Sequence, residues 1–175
     1  MLSEKLFKAV NDQVNAEMYS AYMYLSMSAY AEDKALKGVA SWMFNQSKEE
    51  MAHAMHMYQY LLDRGNAPVL NAIEQPPHDF TSCRDLYEKV LAHEQMVSGL
   101  INKIATIALN EGDHACYQFI MWYVNEQVEE EANVNDILGR LALIGDDKGQ
   151  LLNLDNELGA RVYTNPFPND IKAVL

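Results

Sequence analysis

Four long stretches of this sequence sustain a three-four hydrophobic register, and each breaks it with ionisable or amide side chains at mid-length. In the second stretch the packing seam reads Val39, Met43, Gln46, Glu50, His53, Met57 and Tyr60. The Glu50-x-x-His53 step therefore sets a carboxylate and an imidazole about one turn apart on the face that has to be buried. A carboxylate on such a face loses several kcal/mol of hydration unless partners replace the water. For Glu50 alone, a buried ion pair, a polar layer that fixes helix register, or a metal ion held between facing helices would each do so.

The other three stretches repeat the pattern. From about Glu4 to Glu32 no proline or glycine intervenes, and Phe7, Val10, Val14, Glu17, Ala21, Tyr24 and Ser28 share one face. Such a helix is about 43 Å long. Asp33 and Gly38 punctuate a short link, and the second helix runs to about Leu62, where Gly65 suits a C-terminal cap. The third stretch opens at Ser82, whose Ser-x-x-Asp spacing to Asp85 resembles a capping box, and runs to about Asn110. Its seam is Cys83, Tyr87, Val90, Glu94, Val97, Ile101, Ile104 and Ala108. The fourth, capped by Asp113 after Gly112, reaches about Leu143 with the seam Cys116, Ile120, Tyr123, Gln127, Glu130, Val134, Ile137 and Leu141.

The pattern predicts an all-α four-helix bundle. Ala67 to Phe80 contains Pro68, Pro76 and Pro77, so it cannot continue a helix, and its length suits a crossover that leaves the second and third helices parallel. A short amphipathic segment, about Lys148 to Gly159, carries Leu151, Leu152, Leu154 and Leu158 and has to dock on something to be stable. Residues 1–160 read as one helical domain with this short fifth helix, and residues 161–175 as a C-terminal tail. Asn165-Pro166-Phe167-Pro168 in that tail is not helical; it is either disordered or packed on a neighbouring subunit.

Composition narrows the function. With 25 acidic and 13 basic residues the formal charge is −12, and no Lys/Arg cluster occurs, which excludes nucleic acid and anionic membrane as partners and favours cations. No stretch has the apolar length of a membrane span, the start lacks a basic-then-apolar leader, and Cys83 and Cys116 form no CxxC, so a cytoplasmic protein is expected.

Polar side chains at mid-length on four seams, namely Glu17, Glu50 with His53, Glu94, and Gln127 with Glu130, converge on one layer. Gathered carboxylates without cations repel one another, and oxygen-rich ligation with a single imidazole suits iron or manganese and tolerates zinc. Tyr24, two turns from Glu17, could hydrogen-bond a ligand, donate an electron or simply pack. Glu49, Glu126 and Glu129 lie one position off the seam, where they could hold a further cation or simply be solvated. Met51 could ligate a haem but more readily packs, and Trp122 reads as packing. His56, His78, His93 and His114 show no ligand spacing and read as surface groups.

Glu17 and Tyr24, the Glu49-Glu50-Met51-x-His53 run, Glu94, and Asn125-Glu126-Gln127-Val128-Glu129-Glu130 together resemble the non-haem bacterial ferritins, over nearly the whole chain. That resemblance implies a ferroxidase centre with Glu17, Glu50 and His53 around one iron and Glu50, Glu94 and Glu130 around the other. Glu50 would bridge them, with Gln127 and Tyr24 close by in catalytic roles. It also implies a third iron site from Glu49, Glu126, Glu129 and Glu130, a homo-oligomeric cage of twenty-four subunits, and storage of iron oxidised by dioxygen or peroxide. Gln127-x-x-Glu130 in place of a second Glu-x-x-His separates the chain from bacterioferritins, so no haem is expected. Tyr117 and Ile120 stand where animal ferritins line an iron channel with acidic residues. The alternatives are a discrete di-iron oxidoreductase or peroxidase of the rubrerythrin kind, against which the missing CxxC counts, and a DNA-protecting mini-ferritin, against which the acidic balance counts.

Overall fold

Helices form where the register is unbroken: α1 (Glu4–Asp33), α2 (Lys37–Asp63), α3 (Cys83–Glu111), α4 (His114–Ile144) and α5 (Lys148–Leu158). The computed structural model describes residues 1–167, and among them there is no strand. The caps at Ser82, Asp113 and Gly65 are those the sequence announces, and the structure adds Ser3 at the start of α1. Ser3 Oγ accepts from the Leu6 amide at 3.1 Å and Asp113 Oδ1 from the Cys116 amide at 2.9 Å. Ser82 Oγ accepts from the Asp85 amide at 3.0 Å, while the Asp85 carboxylate accepts from Thr81 N at 2.8 Å, so the box closes one residue outside the cap. At the end of α2, Gly65 takes φ +74°, which lets the Asn66 amide donate back to Leu61 O at 2.9 Å.

The helices bury the faces that their registers select. All eight seam positions of the fourth stretch are the buried residues of α4. Two apolar clusters result. One joins the start of α1 (Leu6, Val10, Val14), the ends of α2 (Met57, Leu61) and α3 (Ile101, Ile104), and the start of α4 (Ile120, Tyr123). The other joins the opposite ends through Tyr24, Met27, Val39, Met43, Tyr87, Val90, Val134 and Ile137. The end of α2 thus meets the end of α3, and the two helices run parallel, as the proline-bearing link requires. That link is clasped to α1. Asn11 exchanges two hydrogen bonds with the Val69 backbone, at 2.7 and 3.0 Å, and Tyr30 Oη donates to Phe80 O at 2.6 Å.

Gly38 is not part of the link between α1 and α2. The turn is made by Ala35, at φ +61°, and Gly38 lies in the first turn of α2, where α5 crosses it. A Cβ there would sit 1.5 Å from the Asp155 carbonyl oxygen and 2.9 Å from Gly159 N, so only glycine allows the approach. The α2 N-terminus has no side-chain cap of its own. Asp155 supplies one from α5, accepting from the buried Val39 amide at 2.8 Å. Leu154 and Leu158 are buried by this docking, whereas Leu152 stays exposed.

Beyond α5 the described part of the tail folds back over α2 and α4 of its own chain. Phe167 is buried against His53, His56, Trp122 and Tyr123. The rest of the tail, from Pro168 onward, lies outside the described residues.

Gly38→Ala is expected to force α5 away from α2, costing about 1–3 kcal/mol. Its thermal unfolding midpoint should drop by about 3–10 °C. Gly139→Ala, at an exposed helical position with nothing within 4 Å of the added carbon, should leave the midpoint unchanged or raise it slightly. Scanning calorimetry of both variants checks the contrast.

Candidate metal centre

Between the two apolar clusters lies a layer to which every long helix contributes. α1 brings Glu17, α2 brings Glu50 and His53, α3 brings Glu94, and α4 brings Gln127 and Glu130; all six are buried, Gln127 being the most open at 5 % exposure. The register places them there because each is a seam position at mid-helix, and each polar group on a seam is bracketed by apolar seam residues that have to be buried.

Glu17, Glu50 and His53 offer ligand atoms that all lie within 4.8 Å of one another. His53 Nδ1 stands 3.4 Å from Glu50 Oε2. The hydrogen bonds around this trio are incomplete. Among the described residues, the buried side-chain atoms with no hydrogen-bond partner are Glu17 Oε2, Glu50 Oε1, His53 Nε2 and Tyr87 Oη. Three of these belong to one ligand trio, and buried polar groups are rarely left without a partner. An oxygen-rich trio with unused lone pairs fits a hard or borderline divalent cation such as iron.

Glu94 and Glu130 complete the layer, both close enough to Glu50 for their charges to act on it. Tyr24 Oη donates a short hydrogen bond to Glu94 Oε1, and Gln127 Nε2 makes a long one of 3.5 Å to Glu94 Oε2. Gln46 Nε2 donates to Glu130 Oε2 at 2.9 Å. These amides and the phenol orient the carboxylates without cancelling their charge.

The electrostatics follow from burial and crowding. Desolvation, helped by the charge of Glu50, pushes Glu17 up to about 8. Desolvation likewise raises Glu94 to about 7, and with the charge of Glu94 it raises Glu130 to about 8. Glu50, desolvated and facing both Glu94 and Glu130, is pushed well above the usual carboxylate range. Burial beside Glu94 keeps the Tyr24 phenol protonated, and so a hydrogen-bond donor.

A second cluster lies at the layer's outer edge. Glu49, Glu126 and Glu130 bring carboxylate oxygens within 4.8 Å of one another, so Glu130 faces both groups. Glu129 is exposed and stands outside this trio, although its charge helps to raise Glu126.

Several functional neighbours escape the sequence reading. Gln13 Nε2 donates to Glu17 Oε1 at 2.8 Å from a buried position one turn earlier, off the α1 seam of Val10, Val14 and Glu17. Gln46, by contrast, is a seam position of α2 and is legible in the register. His93 is no surface group: it is buried, shares a 2.7 Å hydrogen bond with Ser20 Oγ, and burial lowers it to about 4. His56 also turns inward, with Nδ1 2.8 Å from Tyr123 Oη and its ring stacked on Phe167 at 3.8 Å. Ile120 is fully buried and Tyr117 packs beside it in the first apolar cluster. Among the described residues no helix is long and apolar enough to cross a membrane.

The chain is similar to known proteins over most of its length. The model of the ferritin-like domain matches residues 7–144. A probable bacterial non-haem ferritin-like protein of Haemophilus influenzae is 36% identical over 159 residues, 91% of this chain and 96% of that protein. A bacterial non-haem ferritin of Staphylococcus aureus is 36% identical over 163 residues, 93% and 98% of the two chains. Among solved structures, an open-pore ferritin from the hyperthermophilic archaeon Archaeoglobus fulgidus is 46% identical, with a TM-score of 0.91 over 92% of this chain and 98% of that one. A closed form of the same ferritin, engineered by mutagenesis, has the same identity and TM-score over 94% and 100%. Matched over most of its length by the domain and almost end to end by these relatives, the chain belongs to the ferritin family.

Proposed function

We propose that this protein stores iron and oxidises Fe(II) as it takes it up. The observation that carries the reading is the buried trio Glu17, Glu50 and His53, whose ligand atoms converge and each of which has a side-chain atom with no hydrogen-bond partner. Fe(II) is the substrate. Glu17, Glu50 and His53 hold one ion, Glu50, Glu94 and Glu130 hold the other, and Glu50 bridges the two. Two Fe(II) surrender two electrons to dioxygen, which takes up two protons and leaves as hydrogen peroxide. With peroxide as oxidant the same two electrons and two protons give water. Carboxylates favour the ferric product through their charge, and the single imidazole leaves it weakly enough held to move on.

Tyr24 and Gln127 orient Glu94 through their hydrogen bonds. Glu49, Glu126 and Glu130, with Glu129 at the rim, form a third, outer iron site. Five large apolar side chains that remain exposed on the link and on α1, Tyr22, Leu25, Val69, Leu70 and Ile73, suit burial between subunits of a homo-oligomeric cage of twenty-four in the cytoplasm. The mineral would be kept inside.

Glu50→Ala and His53→Ala each remove a ligand. Loss of an outer-shell partner alone costs about 10–100-fold in metal sites, so initial Fe(II) oxidation should slow by more than about a hundredfold. Stopped-flow absorbance reads this directly, and unaltered rates would refute the assignment. Storage is tested separately by adding excess Fe(II) in air, desalting and counting iron. Tens of Fe(III) per chain support storage, whereas two or three per chain would reduce the protein to a discrete di-iron enzyme.

Metal uptake also exchanges protons, because the carboxyls at about 8, 7 and 8 must ionise to ligate. Their folded values lie above the unfolded value of 4.5, so folded metal-free protein holds the extra protons between about pH 4.5 and 8. Its stability is therefore predicted to fall as pH rises through that window and to level off above it. Zn(II), which ligates without redox chemistry, should raise the melting temperature more at pH 8 than at pH 6. Glu17→Gln should flatten the metal-free pH dependence and shrink the zinc effect; calorimetry across pH checks both.

A further inference from the structure

Arg161, just past α5, reaches the outer carboxylate cluster from a segment that four contacts hold in place. Its carbonyl oxygen accepts from Asn45 Nδ2 at 2.9 Å. Its guanidinium lies 5.0 Å from the centre of the Trp42 ring. Nη1 donates to Gln46 Oε1, and Nη2 donates to Glu49 Oε2 at 2.5 Å. Trp42, Asn45, Gln46 and Glu49 are spaced three, one and three residues apart, so a single face of α2 makes the whole seat. The pair is not an open surface bridge: the Arg161 side chain is 29% exposed and that of Glu49 14%.

The seat is wired to the metal layer on both sides. Glu49 is one of the three outer carboxylates. Gln46 takes the guanidinium on its carbonyl side and passes its amide to Glu130, the residue shared with the inner layer. A guanidinium is a fixed monovalent cation with a planar fork. It neutralises one carboxylate of the trio, whereas a divalent ion bound at the outer site needs the same oxygens.

We propose that Arg161 is the resident counter-cation of the outer site, and that an iron ion bound there must displace its guanidinium from Glu49. The inference rests on the reading of Glu49, Glu126 and Glu130 as a third metal site. Arg161 then sets the affinity of that site: it holds the carboxylates together when no ion is present and makes occupancy weaker than at the inner pair. The outer ion becomes the transient one of the three.

Redox-inert Zn(II) tests this without turnover. Isothermal titration and dialysis counting on the full-length assembled protein resolve the binding events in the parent, Arg161→Gln and Arg161→Lys, with Glu126→Gln identifying which event belongs to the outer site. The expected result is a third Zn(II) bound about tenfold or more tightly by Arg161→Gln than by the parent, with the two inner events unchanged. Arg161→Lys, which keeps the charge and loses the fork, should lie between them. Equal third-ion affinity in parent and Arg161→Gln, or weaker affinity in the variant, overturns the role given to Arg161 while leaving the third site standing. No third event in any of the proteins overturns the site reading and the inference with it.

Discussion

Burial of more acid than the bundle can neutralise is the constraint on which this structure depends. Glu17, Glu50, Glu94 and Glu130 are taken out of water together, and among the described residues one histidine, the Tyr24 phenol and a few amides face them. Their raised proton affinities are the symptom: without cations the layer lowers its repulsion by holding protons. A fold that gave priority to stability alone would replace the layer with aliphatic side chains, since buried ionic groups seldom repay their desolvation. The arrangement makes sense when divalent ions supply the missing positive charge.

The rest of the fold resists that repulsion. Apolar clusters close the bundle above and below the layer, so the carboxylates cannot escape to solvent without opening one of them. The crossover clasped by Asn11 and Asn15 sets α2 and α3 parallel, which brings ligands from all four helices to one height. At the far end, Gly38 lets α5 lie against α2, and Asp155 caps α2 from outside. From α5 the chain turns back, carrying Arg161 to the outer carboxylates and Phe167 to the histidine side.

The parts legible in the sequence are those governed by helical period. Glu94 stands out between Val90 and Val97, the Gln46-Glu50-His53 group between Met43 and Met57, and the Gln127-Glu130 pair between Tyr123 and Val134, because those apolar seam residues oblige them to be buried, while capping residues mark the helix ends at Ser82, Asp113 and Gly65. Gly38 reads as punctuation in the sequence because glycine marks both chain breaks and close crossings, and only the position of α5 separates the two. His93 and His56 look like surface groups in the sequence because their partners, Ser20 and Tyr123, are distant along the chain. Arg161 carried no signal either, as its seat on α2 lies more than a hundred residues away. Glu49 and Glu126 were ambiguous between solvated charge and ligand, and convergence with Glu130 is a tertiary property.

The central claim is that the four-helix carboxylate layer holds a pair of metal ions, and locating the ions tests it most directly. Crystals soaked anaerobically with Fe(II) and measured at the iron absorption edge would give their positions by anomalous scattering. The account predicts one peak among Glu17, Glu50 and His53 and a second among Glu50, Glu94 and Glu130, bridged by Glu50. An intact bundle with no anomalous density in that layer, or with iron only on the surface, would contradict it.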